Sequence, residues 1–309
     1  MHSLVGFAIL GVDWQELKPF IVLGLALGGA YALSGVGIVV LYQTTGVLNV
    51  AFGAVGAAGA LIAYWMIHHT SLSQWIAYLV CILFGGVVNL VYGVIFGPAF
   101  AKRDPLVKMM GTLALALILL GTMGWRAPAG GAFVRFLTLP TTNHRYEIFG
   151  ASVSLTQIIA LVFALVLTAA TTAFLRYTSL GTAYRAVAND REISATLGVP
   201  VRRVEASAWF GSGLVCGCAG LLLADLYTSL DYSALTFLVI SSLAAALIGR
   251  LRSLWATLAG GLTVGLVQGL LTPYGRVTEY RAATPFVLSI IALLWLSRTR
   301  VVTISRTAQ

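Results

Sequence analysis

The feature that most limits this chain is a run of apolar blocks, each roughly 17 to 25 residues long, that repeats from Pro19 almost to the C-terminus. A helix of that length spans a hydrocarbon core of about 30 Å, and lipid offers exposed backbone groups no hydrogen-bond partner, so helices are the expected element. Read between charged or Pro/Gly breaks, the blocks cover residues 19–42, 46–67, 75–100, 107–125, 153–175, 204–226, 233–249, 254–272 and 285–296. The expected fold class is all-α: a polytopic integral membrane helical bundle of about nine crossings, in a range of roughly eight to ten. Residues 1–309 read as a single transmembrane domain.

Composition agrees, with 59% hydrophobic residues, 9% charged and a mean hydropathy of +0.93. Soluble domains carry about a quarter charged residues. The net charge of +9 comes from Lys and Arg dispersed in short connectors. No single basic face results, so nucleic-acid binding is not expected. Cys81, Cys216 and Cys218 fall inside apolar blocks while His2, His68, His69 and His144 lie in connectors, which gives neither a disulfide framework nor a metal site. The stretch before Lys18 lacks the basic start and small-residue cleavage site of a removable signal. The first block is expected to remain as an anchor. Pro19 and Pro285 read as first-turn prolines, where a missing N–H costs nothing.

Basic residues set the orientation, because they accumulate on the cytoplasmic side. With the N-terminus outside, the inside connectors hold 13 of the 19 Lys and Arg, including Lys102, Arg103, Lys108, Arg185, Arg250, Arg252, Arg298, Arg300 and Arg306. The C-terminus is then inside. Trp65, Trp75, Trp125, Trp255 and Trp295 fall at block ends, the preferred depth of an amphipathic ring. The connector Gln43-Thr44-Thr45-Gly46 is short and uncharged, so a re-entrant or broken helix near residues 43–53 is the alternative to a full crossing. That alternative gives eight crossings and an inside N-terminus. Two connectors are long: 126–152 outside and 176–203 inside.

Span interiors hold almost no ionisable groups, which argues against a proton relay. Asp225, Asp231 and Glu205 read as interfacial carboxylates. Small residues recur at packing spacing, Gly24 with Gly28, Gly213 with Gly217, and Gly261, Gly265 and Gly269 in a row, and these are expected to build the bundle. The polar residues within spans, Asn49, Asn89, Gln157, Ser241, Ser242 and Gln268, each need a partner in protein or water. Asn49 follows the break and carries two readings of equal weight: a substrate-path residue at a broken helix, or a helix-to-helix bond.

The inside loop is the most informative stretch. Asn189 and Glu192 have capping-box spacing, and Gly198 with Pro200 forms a stop signal, so a short helix is expected between them. Ile193 and Leu197 fall four apart on one face. That stripe either meets a partner or packs on the underside of the bundle.

This loop resembles the coupling segment of ABC importer permeases of the branched-chain amino acid type, on Arg185, Ala186, Ala188, Asp190, Ala195, Gly198 and Val199. Gly24-Leu-Ala-Leu-Gly28-Gly-Ala-Tyr31 looks like the first span of that family, and Gly46-Val-Leu-Asn49-Val-Ala-Phe52-Gly53 like its Gly-Val-Ile-Asn-Phe-Ala-His-Gly. Gly249-Arg-Leu-Arg-Ser253 resembles its Gly-Gly-Ile-Gly-Ser break, so the similarity runs from Gly24 to Leu271.

The resemblance implies a permease subunit in a bacterial plasma membrane, paired with a second permease as a heterodimer or homodimer. It implies two ATP-binding cassette ATPases and an extracytoplasmic substrate-binding protein, with ATP and Mg on the ATPases and no cofactor on this chain. The ATPase-coupling residues would be Arg185, Ala186, Asn189, Asp190, Arg191, Ile193, Ala195, Leu197 and Gly198. Asp190 and Arg191 would make rim contacts and Ile193 and Leu197 would supply apolar area. The substrate path would hold Tyr31, Asn49, Phe52, Gly53 and Gln268. Where the family often has His and Glu around this glycine, the chain has Phe52 and Ala54, which favours a less polar carboxylate, amide or aromatic compound over a small zwitterion. An ion-coupled secondary transporter or channel is the alternative. No Ser/His, paired-carboxylate or metal constellation marks an enzyme.

Overall fold

The computed structural model describes residues 14–100, 103–126, 137–148, 151–227, 230–274 and 278–294. Its helices are α1 (Trp14–Thr45), α2 (Phe52–His69), α3 (Gln74–Phe100), α4 (Pro105–Arg126), α5 (Leu155–Tyr177), α6 (Ser179–Asn189), α7 (Arg191–Thr196), α8 (Val201–Leu226), α9 (Tyr232–Phe237), α10 (Val239–Ile248), α11 (Leu254–Leu271) and α12 (Thr284–Leu294). Six of these, α1, α3, α4, α5, α8 and α11, are long and apolar enough to cross a membrane.

The other three expected crossings take different forms. α2 is preceded by a non-helical stretch, residues 46–51. The block at 233–249 divides into α9 and α10, which meet at Leu238. α12 covers most of the last block, whose final residues lie outside the described set, as do Trp295, Arg298, Arg300 and Arg306. Pro19 sits inside α1 rather than in its first turn, because the helix already begins at Trp14.

α1 is the axis of the molecule, with every residue from Ala26 to Val39 buried. A helix that is apolar all round must be enclosed, and α11, α8, α5 and α10 enclose this one. Glycine makes the close approaches possible. α1 and α11 run antiparallel, with a Cβ on Gly24 falling 2.7 Å from Gly265 O and one on Gly28 falling 2.8 Å from Gly261 O. α3 and α8 repeat the device, since a Cβ on Gly217 would lie 2.6 Å from Ile82 Cα. The expected packing role of these glycines is what the backbone shows.

Leu79, Leu83, Val87, Val91 and Ile95 of α3, Leu113, Leu117 and Ile118 of α4, and Phe286, Ile290 and Leu294 of α12 face outward. In water such faces would aggregate, so they are lipid or partner surface. Trp65, Trp75, Trp125 and Trp255 are exposed at helix ends, as an interfacial belt requires. One end of the bundle, called the basic end below, carries the start of α4, helices α6 and α7, and the α10–α11 turn.

At the opposite end two strands, β1 (Arg145–Ile148) and β2 (Ala151–Ser154), pair antiparallel with Arg145 opposite Ser154. The hairpin sits in a loop of a bundle that is otherwise all-α, as expected. Asp225 fastens the same loop to α8 by accepting from Leu139 N at 2.7 Å and from Thr142 Oγ1 at 2.6 Å. Ser154 and Gln157 form a reciprocal capping box that starts α5.

Candidate functional site

The break after α1 is built by short polar side chains. Gly46 takes φ +66°, a left-handed conformation that suits glycine and ends the helix. Beyond it, the freed backbone finds partners on other helices: Thr112 Oγ1 donates to Leu48 O at 3.1 Å and accepts from Val50 N at 3.1 Å. Asn49 Oδ1 accepts from Ala51 N at 3.0 Å, and its Nδ2 donates to Asn89 Oδ1 at 2.8 Å. Asn89 Nδ2 in turn donates to Gly85 O at 3.0 Å. Of the two readings weighed for Asn49, a structural bond is present, and it ties the non-helical break to α3. The chain then continues as α2 past Gly220 of α8 and Cys81 of α3.

α2 meets a second broken helix. Gly53 presses against the carbonyl of Thr236, so closely that a Cβ there would overlap it, and Thr236 is one residue from the end of α9. Between the two breaks lies a small cavity of about 20 Å³, with Ser34, Phe52, Gly53, Cys216, Leu238 and Ser242 in its wall. That volume holds about one water molecule. The Phe52 ring packs on Gly37, where a Cβ would lie 3.0 Å from Cζ, and Phe52 O accepts from Cys216 Sγ at 2.8 Å. Ala54 is fully buried in an apolar cluster with Val36, Val39 and Val55, a setting that has no counter-charge for a glutamate.

Tyr31 and Gln268 also come together. Tyr31 Oη donates to Gln268 Oε1 at 3.0 Å and lies 3.0 Å from Tyr227 Oη, which ties α1, α11 and the end of α8 through one buried polar node. Among the expected path residues, Phe52 and Gly53 line the cavity, while Asn49, Tyr31 and Gln268 hold the helices around it.

The second candidate region is the basic-end pair α6 and α7. Sequence spacing pointed to one helix; two are present. The cap of α7 is Asp190, not Asn189, which is the last residue of α6. Asp190 Oδ1 accepts from Glu192 N and Ile193 N, each at 2.9 Å, a reach that a side chain at position 189 lacks because its backbone is still helical. Gly198, at φ +84°, ends the turn.

α6 is anchored: Thr178 caps it, Gly181 packs on the backbone of Phe174 and Leu175, and Tyr184 Oη pairs with Ser207 at 2.9 Å. α7 is braced by Arg191, whose Nε donates to Glu205 Oε1 at 2.6 Å. That bond holds the guanidinium charge more firmly than usual and raises its pKa. Arg191 thus leans on α8 while staying exposed, and Glu205 is a positioning carboxylate. Ile193 and Leu197 point away, 58% and 78% exposed. Of the two fates considered for this stripe, packing on the underside of the bundle does not occur. Sequence reading missed α6, whose signal was the buried spacing of Gly181, Tyr184 and Val187.

A multi-pass helical bundle with paired helix breaks around a small cavity, and a capped helix displayed at one end, has the organisation of a membrane permease. Residues 20–293 match the family model described as the permease component of branched-chain amino acid transport systems. The chain belongs to that family. It is 25% identical over 286 residues to the high-affinity branched-chain amino acid transport system permease protein LivH of Salmonella typhimurium, covering 88% of this chain and 91% of that one. It is 28% identical over 253 residues to a probable LivH permease of Methanocaldococcus jannaschii, covering 78% and 77%. Similarity to the BraD permease of Pseudomonas aeruginosa is 22% over 287 residues, covering 88% and 91%.

Proposed function

We propose that this chain is the permease subunit of an ABC importer that carries branched-chain amino acids or a related, less polar carboxylate or amide. The observation that carries the reading is the exposed Ile193 and Leu197 pair on a helix that is capped by Asp190, braced through Arg191 and Glu205, and left uncovered by its own bundle. Apolar surface held in one orientation is an interface awaiting a partner. That partner is an ATPase of the ATP-binding cassette type; two of them bind ATP and Mg. A second permease, in a heterodimer or homodimer, and an extracytoplasmic binding protein complete the assembly.

In this reading the basic end faces the cytoplasm of a bacterial cell, consistent with the Lys and Arg distribution. ATPase closure moves α7, and α6 carries the motion through Tyr184 and Gly181 to α8 and α5. The substrate passes near Phe52 and Gly53, where the breaks at 46–51 and Leu238 let two helix ends separate without breaking a continuous ladder. An ion-coupled carrier is the competing class; it lacks a motor here, because the described span interiors hold no Asp, Glu, Lys, Arg or His.

Purification through a tag on this chain, with the ATPases, second permease and binding protein co-expressed, tests the assembly. Recovery of the ATPases in fixed ratio is the expected result. A chain that purifies alone and transports substrate on an ion gradient would contradict it.

A further inference from the structure

A groove of about 730 Å³ opens at the basic end, between the last turn of α1, the start of α4, α6 and the α10–α11 turn. Lys108, Arg185, Arg191 and Arg252 line it, and no acidic side chain does. Glu205 compensates Arg191. Lys108, Arg185 and Arg252 have no carboxylate partner among the described residues. Lys108 Nζ reaches over the helix break, 3.7 Å from the point a Cβ on Gly46 would occupy. The α1 carbonyls nearby are already served, Val40 O by Thr44, Leu41 O by Thr45 and Tyr42 O by Gly46 N. Three uncompensated cations around one concavity form a site for an anion.

What kind of anion follows from the neighbouring hollow. Tyr42, Gly46 and Leu251 also belong to an adjoining groove of about 590 Å³, whose further wall is Leu48, Asp104, Pro105, Leu106 and Met109. The two grooves adjoin at Tyr42, Gly46 and Leu251 as a trough that is basic at one end and mainly apolar at the other, and Leu106 and Met110 of α4 lie exposed beside the apolar end. We propose that this trough binds one anionic phospholipid, its phosphate among Lys108, Arg185 and Arg252 and an acyl chain along Leu48, Leu106 and Met109. Basic pockets between membrane helices recognise phospholipid headgroups in this way. The lipid would touch both the α1 break and the α10–α11 turn, which Gln43 already joins by donating to Arg252 O at 2.7 Å.

The test is native mass spectrometry of the purified full chain titrated with dioleoyl phosphatidylglycerol. One tightly retained lipid per chain is expected, bound about thirtyfold more weakly by the double variant Lys108→Gln/Arg252→Gln. The charge-preserving Lys108→Arg/Arg252→Lys chain should bind like the wild type, which separates lost charge from lost fold. Met109→Ser keeps every cation and should weaken the lipid roughly fivefold while leaving the chain-free headgroup glycerophosphoglycerol unaffected. Equal retention of dioleoyl phosphatidylcholine, displacement by inorganic phosphate at the same concentration, or no loss in the glutamine double variant would each overturn the proposal.

Discussion

Asn49 and Asn89 concentrate the cost of breaking a helix inside an apolar bundle into two side chains. Leucine at position 89 would leave the Asn49 amide without an acceptor, at a cost of about 1–2 kcal/mol, and a double-mutant cycle with Asn49 should show coupling of roughly 1 kcal/mol. Additive effects in a denaturant titration would remove the bond from the account. Arg250 and Leu251 are the second local expense, at φ +56° and +54° in the α10–α11 turn. Where the resembling family has glycine, this chain holds a side chain in the left-handed region, costing about 1–2 kcal/mol. Arg250→Gly should therefore raise stability, by up to about 1 kcal/mol once the freer unfolded glycine is counted. A lower midpoint would contradict that. Phe52→His places a polar ring in the cavity wall, and the uptake profile should shift toward more polar substrates; an identical profile would remove Phe52 from the path.

At the level of elements, α7 is a display helix and α6 its mount. Leu197→Asp should reduce ATPase co-purification at least about tenfold, the loss expected when a buried apolar contact becomes a charge, while membrane insertion stays intact. Unchanged recovery would place the ATPase elsewhere. The existence of α7, its Gly198 stop and its apolar stripe were legible because capping and periodicity are local signals. Its cap was misplaced by one residue because α6 continues through Asn189, a fact fixed by Tyr184 reaching Ser207 across the fold. The hairpin at Arg145–Ser154 was equally hidden, since its pairing depends on a loop held by Asp225. Long apolar blocks announced α3, α5 and α11 to within two residues at each end, whereas α1 begins five residues and α8 three residues before its block. The break at Leu238 went unseen, because no Gly, Pro or charge marks it in the sequence and the close approach of Gly53 to Thr236 is a contact across the fold.

At the scale of the whole molecule, glycine rows pack α1 against α11 and α3 against α8, leaving α4 and α12 mostly outward and only a water-sized cavity between the two helix breaks. Among the described residues the span interiors are uncharged, and the displayed helix is at one end. On the proposed function, transport is conditional on an external ATPase. Uptake of labelled branched-chain amino acid into proteoliposomes holding this chain, its partner permease and the ATPases, with loaded binding protein outside and ATP inside, measures that directly. Uptake that requires ATP and vanishes when the ATPases are omitted is the predicted result. Equal uptake by this chain alone under an ion gradient, without ATP, would contradict it.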